Sequence, residues 1–145
     1  MFKGYWGMPE KTAESFQDGW FKTGDLGYLD PEDGNRLYLV GRAKELIITG
    51  GYNVYPKEIE DVLESHDAVR EAAVVGLPDE DFGERVTAAV SLTEAASIST
   101  EDLIRFCKER LAGYKCPKQV FLVTDLPRNA MGKLQKNVLV EQLSK

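Results

Sequence analysis

From residue 45 onward, apolar positions switch repeatedly between the two-residue period of strands and the wider spacing of helices. Glu45–Thr49 holds the short apolar run LII, suited to a strand, and Gly50–Gly51 breaks it. Pro56 stands at a first helical position, followed by Ile59, Val62 and Leu63 at helical spacing. Ala72–Val75 and the alternating Val86, Ala88, Val90 and Leu92 predict two strands, with the loop LPDEDFGE between them. Ser99 or Thr100 can cap a helix whose apolar face is Leu103, Ile104, Cys107 and Leu111. Val120–Val123 predicts a further strand, and Gln135–Leu143 a final helix with Val138, Leu139 and Leu143 inward.

The order β, α, β, β, α, β, α predicts a compact α+β domain from about Ala43 to the end. The first forty residues read differently. They predict a short helix around Pro9–Phe16 and then a hairpin, entered at Trp20–Lys22, turned by DPEDGN (Asp30–Asn35) and returned by Leu37–Val40. Apolar residues are too few there for a separate core. This segment is expected to belong to a larger domain, which makes the chain a fragment. Trp6, Trp20 and Phe21 are expected in a core or at a domain interface.

Composition narrows the function classes. With 43% apolar and 29% charged residues the chain is of globular type. No window approaches the length of uninterrupted apolar sequence that a membrane span requires. The N-terminal MFKGYWGMPEK has no apolar core of a secretory signal, so a cytoplasmic location is expected. The formal charge of −6 argues against a nucleic-acid partner. Cys107 and Cys116 are the only two cysteines and His66 the only histidine, too few ligands for a zinc site; no metal ligands are assigned, and both thiols are expected reduced and packed.

Three stretches carry candidate chemistry. In FKTGDLGYLD, Asp25 follows a glycine, where a carboxylate can accept hydrogen bonds from vicinal hydroxyls such as those of a ribose, or cap its own turn. In GRAKELIITGGYNVYPKEIE, Arg42 and Lys44 place two cations beside a bendable backbone. Gly50–Gly51 allows close approach of a narrow ligand, or simply turns a hairpin between two short strands. In DLPRNAMGKLQKN, a glycine-bearing loop presents Lys133 ahead of a helix. Its ammonium can reach a phosphate or carboxylate, or remain solvated. Lys115 and Lys118 in GYKCPK, and the acidic Asp79–Asp81, read most simply as solvated loops.

Taken in order, TGDL, then GR-x-K-E-L-I-x-x-G-G-Y-x-V-x-P-x-E-I-E, then P-R-x-x-x-G-K, the chain resembles the adenylate-forming enzymes over essentially its whole length. That family comprises acyl-CoA synthetases, carrier-protein adenylation domains and firefly-type luciferases. The resemblance implies a small C-terminal lid domain, residues 43–145, with an antiparallel or mixed sheet and about three helices. Residues 1–42 would be the strand-rich tail of the large AMP-binding N-terminal domain, which is then the chain's own partner. It implies ATP, Mg2+ (held mainly by that larger domain) and coenzyme A, with a small carboxylic acid as substrate. Lys133 would be the adenylation lysine, Lys44 the hinge, Asp25 and Arg42 nucleotide contacts, and Gly50 and Gly51 the passage for the coenzyme A arm.

Two departures refine the resemblance. Several members carry a lysine where Ile48 stands, so a contact used in their second step is missing here. The run AKELIITGG differs from the charged pattern of carrier-protein domains, which favours free coenzyme A as acceptor. Within the family, FKGYWGMPEKTAESF, GGYNVYPKEIE and LPRNAMGKLQKN are most similar to the malonyl-CoA synthetases. A medium- or long-chain fatty acyl-CoA synthetase is the alternative, as is an inert interaction module, because the isolated chain lacks the family's phosphate loop and acyl pocket.

Overall fold

The computed structural model describes residues 2–94 and 96–144. The chain divides into two compact units, Met1–Lys44 and Glu45–Lys145.

The first unit contains helix α1 (Pro9–Glu14), a small hairpin of β1 (Phe16–Gln17) and β2 (Trp20–Phe21), and a longer one of β3 (Asp25–Asp30) and β4 (Arg36–Arg42). The expected hairpin therefore becomes two. Asp18 and Gly19 both take positive φ, at 51° and 83°, and turn Trp20 back onto Gln17. Gly24, at φ 78°, separates that hairpin from β3. The DPEDGN turn lies where it was expected, with Asp30 Oδ1 accepting from the Glu32 and Asp33 N–H groups. No described side chain of this unit is fully buried. Phe2, Tyr5, Phe16 and Phe21 cluster edge to face and stacked, whereas Trp6 and Trp20 project into solvent and form no core within the unit. Ala43 N–H donates to Gly24 C=O at 2.9 Å, which carries the first unit two residues past Arg42.

The second unit is a five-stranded mixed sheet with helices on both faces. After a single 3-10 turn at Ala43–Glu45 come β5 (Ile47–Thr49), β6 (Tyr52–Val54), α2 (Pro56–Glu64), β7 (Val69–Asp79), β8 (Gly83–Leu92), α3 (Thr100–Lys108), β9 (Gln119–Leu122) and α4 (Lys136–Leu143). The order β6-β5-β8-β7 is antiparallel, and β9 adds parallel to β8.

Two-residue alternation divides the core. Ala72 and Val74 of β7 face Ile59 and Leu63 of α2, with Leu103 and Cys107 of α3, in one cluster. Ala73, Val75 and Leu77 face Leu139 of α4 in the other. In α4, Val140 and Leu143 pack beside Leu139, so Val140 takes the place expected of Val138. Ser99 caps α3, its Oγ accepting from Asp102 N–H at 3.1 Å.

The β7–β8 hairpin is longer than its apolar runs suggest. LPDEDFGE is not all loop: Leu77, Pro78 and Asp79 pair with Arg85, Glu84 and Gly83. Asp79 Oδ1 then closes the turn by accepting from the Asp81 and Phe82 N–H groups. Polar residues at the end of a ladder hide a strand from a hydrophobic pattern. The strand β6 was likewise absent from the apolar pattern, because only Val54 of its three residues is buried.

Along its outer edge β7 has no neighbouring strand, and helix α2 supplies partners instead. Glu60 Oε1 accepts from Val74 N–H at 2.8 Å and Glu64 Oε1 from Ala72 N–H at 3.2 Å. Four residues of helix rise about 6 Å and two residues of strand about 6.6 Å, so the two carboxylates match alternate edge amides. This shields the edge from pairing with another chain.

Candidate functional site

The predicted site residues fall into three groups. The first is the pair Asp25 and Arg42, which sit opposite each other at the end of the β3–β4 ladder, with Arg42 Nε 3.2 Å from Asp25 Oδ1. Asp25 thus begins β3. Its own N–H is taken by Thr23 Oγ1 at 3.1 Å, and the turn-capping role falls to Asp30. The carboxylate and guanidinium are both partly exposed, and open to a polar ligand. Lys44 follows, exposed, in the 3-10 turn where the first unit ends.

The second group is Gly50–Gly51. With φ of 56° and 82° the two glycines form the two-residue turn between β5 and β6, where Thr49 pairs with Tyr52. The hairpin reading of these glycines is therefore the local geometry. At Gly51 the absent side chain also leaves the surface bare, since no atom lies within 4 Å of where its Cβ would project. Gly50 N–H donates to Phe82 C=O at 2.9 Å, and the Phe82 ring lies 3.3 Å from where a Gly50 Cβ would project. Glu84 holds the strand beneath, its Oε2 accepting from Ile48 N–H at 2.6 Å. Gly76 leaves room for that carboxylate, because a Cβ there would fall 2.7 Å from Glu84 Oε1.

The third group is the Lys133 loop. Pro127 C=O accepts from Gln135 N–H at 2.8 Å, and Arg128 bridges to Leu134, closing the base of the loop. Asn129 Oδ1 accepts from both Met131 and Lys133 N–H, at 3.0 and 2.9 Å. Gly132 takes φ 77°, and Arg128 Nη1 donates to its C=O at 2.7 Å. The backbone at Lys133 is thus fixed by short hydrogen bonds while its side chain is exposed, an arrangement that presents a mobile ammonium from a fixed base.

Arg128 Nη2 also pairs with Glu71 Oε2 at 3.0 Å, which anchors this loop near the start of β7. The glycine turn is anchored at Gly83, beside the other end of the same hairpin. Eight residue steps along the strand lead from Glu71 to Asp79, about 26 Å. Lys133 and Gly50–Gly51 therefore hang from opposite ends of one rigid hairpin.

Several contributors escaped the sequence reading. Phe82, Glu84 and Arg128 act through partners distant in sequence. Lys136, Glu45 and Glu60 form an ion cluster that no motif in the sequence signals. Lys115 is not a free loop lysine: its Nζ lies 2.7 Å from both carboxylate oxygens of Glu58, which raises its pKa. Among the described residues, no three His, Cys, Asp or Glu side chains gather as a metal site. None of the described helices is long and apolar enough to cross a membrane.

With this fold and these loops, the chain belongs to the AMP-binding enzyme C-terminal domain family, whose model matches residues 58–133. A 2-succinylbenzoate–CoA ligase of Geobacillus kaustophilus is 50% identical over 143 residues, 99% of this chain and 29% of that protein. The long-chain-fatty-acid–CoA ligase FadD13 of Mycobacterium tuberculosis is 46% identical over 144 residues, 99% of this chain and 28% of that protein. The crystal structure of ATP-bound MatB from Rhodopseudomonas palustris matches with a TM-score of 0.90 at 50% identity, covering 99% of this chain and 28% of that one. The chain thus spans less than a third of the length of the curated relatives it matches.

Proposed function

We propose that this chain is the mobile C-terminal part of an ATP-dependent acyl-CoA synthetase, with Lys133 as its adenylation lysine and Gly50–Gly51 as the passage for the coenzyme A thiol. The observation that carries this reading is the placement of the Lys133 loop and the glycine turn at opposite ends of the β7–β8 hairpin. One rigid body with two separate functional ends suits an enzyme that runs two half-reactions in two domain orientations, turning about Lys44.

In the first half-reaction a carboxylate oxygen attacks the α-phosphorus of ATP, and the bond to the β-phosphate breaks to release pyrophosphate. Two anions must approach each other. The Lys133 ammonium attracts both and offsets their repulsion as charge builds at the α-phosphate. Asp25 accepts from the ribose hydroxyls, and Arg42 lies beside the ribose and phosphates. In the second half-reaction the thiolate sulfur attacks the acyl carbon and AMP leaves. The turn at Gly50–Gly51, bare at Gly51, lets the narrow pantetheine arm reach the adenylate.

The test is Lys133→Ala in the complete enzyme. Pyrophosphate release is expected to fall about 10²-fold or more, while thioester formation from supplied acyl-adenylate persists. Equal loss of both half-reactions contradicts the two-ended model. The 145-residue chain alone, given ATP, Mg2+, coenzyme A and carboxylates, is expected to release no pyrophosphate above background.

The acid proposed is malonate, from the likeness of FKGYWGMPEKTAESF and LPRNAMGKLQKN to malonyl-CoA synthetases. Relatives named for long-chain fatty acids, 2-succinylbenzoate and oxalate are all 42–50% identical here. Acids so different in size imply that selection lies outside these residues. Assayed against octanoate and palmitate in the complete enzyme, malonate is expected to give the highest kcat/KM, and preference for a fatty acid overturns the assignment.

A further inference from the structure

Lys136 is the first residue of α4, three residues past Lys133, and neither role proposed above uses it. Its Nζ lies 2.8 Å from Glu45 Oε2 and 2.8 Å from Glu60 Oε1, and its side chain is only 17% exposed. Glu60 is itself 8% exposed, and the same Oε1 accepts from Val74 N–H on the edge of β7. The lysine lies on the α4 face of the sheet and Glu60 on the α2 face, so the pair closes around that edge. Glu45, the third member, ends the 3-10 turn and directly follows Lys44.

We infer that Lys136 is a positioning residue for Lys133, tying the base of the Lys133 loop to Glu45, the first residue of the second unit, and to Glu60 of α2. The inference rests on the adenylation reading of Lys133. Its physical basis is twofold. Only Leu134 and Gln135 separate the two lysines, and the loop base is closed at Gln135 by its bond to Pro127. A shift at Lys136 is therefore delivered to Lys133 with little slack. Further, Lys136 is the cation shared by two carboxylates. Without it Glu45 and Glu60 repel each other in a half-buried site, and Glu45, the more exposed, gives way.

The test is Lys136→Met in the complete enzyme, with the half-reactions measured separately. The adenylation kcat is expected to fall about tenfold, as a small misplacement of an essential ammonium does. The KM for ATP and thioester formation from supplied acyl-adenylate are expected to stay within about twofold. Lys136→Arg keeps the charge and both partners, and is expected to restore most of the adenylation rate. Equal slowing of both half-reactions means that Lys136 only braces the fold, and an unchanged adenylation rate means that it positions nothing; either result overturns the inference. Should the Met variant not fold, Glu45→Gln carries the test. It cuts only the hinge-side arm, leaves Lys136 on Glu60, and is expected to give the same selective loss. Lys133→Ala run alongside separates the two ideas: if it leaves adenylation intact the site reading fails, and if it alone abolishes adenylation only the Lys136 inference fails.

Discussion

Arg42 Nε stands 3.2 Å from Asp25 Oδ1 across the end of the β3–β4 ladder, so the two proposed nucleotide contacts form a pair. The guanidinium orients one carboxylate oxygen and leaves further lone pairs for ribose hydroxyls. Both groups are partly exposed, which limits the pair's contribution to stability to about 1 kcal/mol or less. Asp25→Ala is therefore expected to raise the KM for ATP about tenfold or more while leaving the melting temperature nearly unchanged. Titrating ATP in a pyrophosphate-release assay checks this, and an unaltered KM removes Asp25 from the nucleotide site.

At Gly50 a methyl group meets two obstacles. The backbone φ of 56° disfavours any L side chain, at a cost of about 1 kcal/mol or more, and the new Cβ falls 3.3 Å from the Phe82 Cδ1. Gly50→Ala in the complete enzyme is expected to slow thioester formation about tenfold and adenylation by no more than about twofold. Single-turnover measurement of each step decides it, and the reverse pattern would move the coenzyme A passage away from this turn.

Lys44 occupies a single 3-10 turn, and proline there fixes φ near −65° and restricts Ala43 as well. With the proposed hinge locked, Lys44→Pro is expected to impair one half-reaction by about tenfold or more and to spare the other. Normal rates in both steps count against Lys44 as the pivot.

Burial pushes the Cys107 thiol up to about 11, and burial raises Cys116 as well. At pH 8 a thiol of that pKa is only about 0.1% thiolate. Both cysteines are buried. Neither is expected to react with iodoacetamide at pH 8 until the protein is unfolded by denaturant, which mass spectrometry can follow. Because the charged form is the disfavoured one, raising the pH toward 11 is expected to destabilise the fold, since the unfolded chain ionises these thiols first. Rapid labelling of the native chain would remove the packed-thiol account.

Elements whose apolar face is the whole signal are legible in the residues alone. Ile59 and Leu63 in α2, Leu103 and Cys107 in α3, and Val86, Ala88 and Val90 in β8 stand at the spacing that burial demands, and all are buried. The ordered motifs that carry the family resemblance are legible in the same way, because those loops are contiguous in the chain. The structure alone decided what depends on partners far apart in sequence. Leu77–Asp79 became strand because Gly83–Arg85 folded back beside them, and Phe82 met Gly50 because β8 pairs with β5. The β1–β2 hairpin hung on positive φ at Asp18 and Gly19, a backbone state that a hydrophobic pattern does not encode. The junction of Lys136 with Glu45 and Glu60 is the extreme case. Three charged residues read as solvated surface in a linear chain, and only the closing of α2 and α4 around the edge of β7 excludes enough water to make them one site.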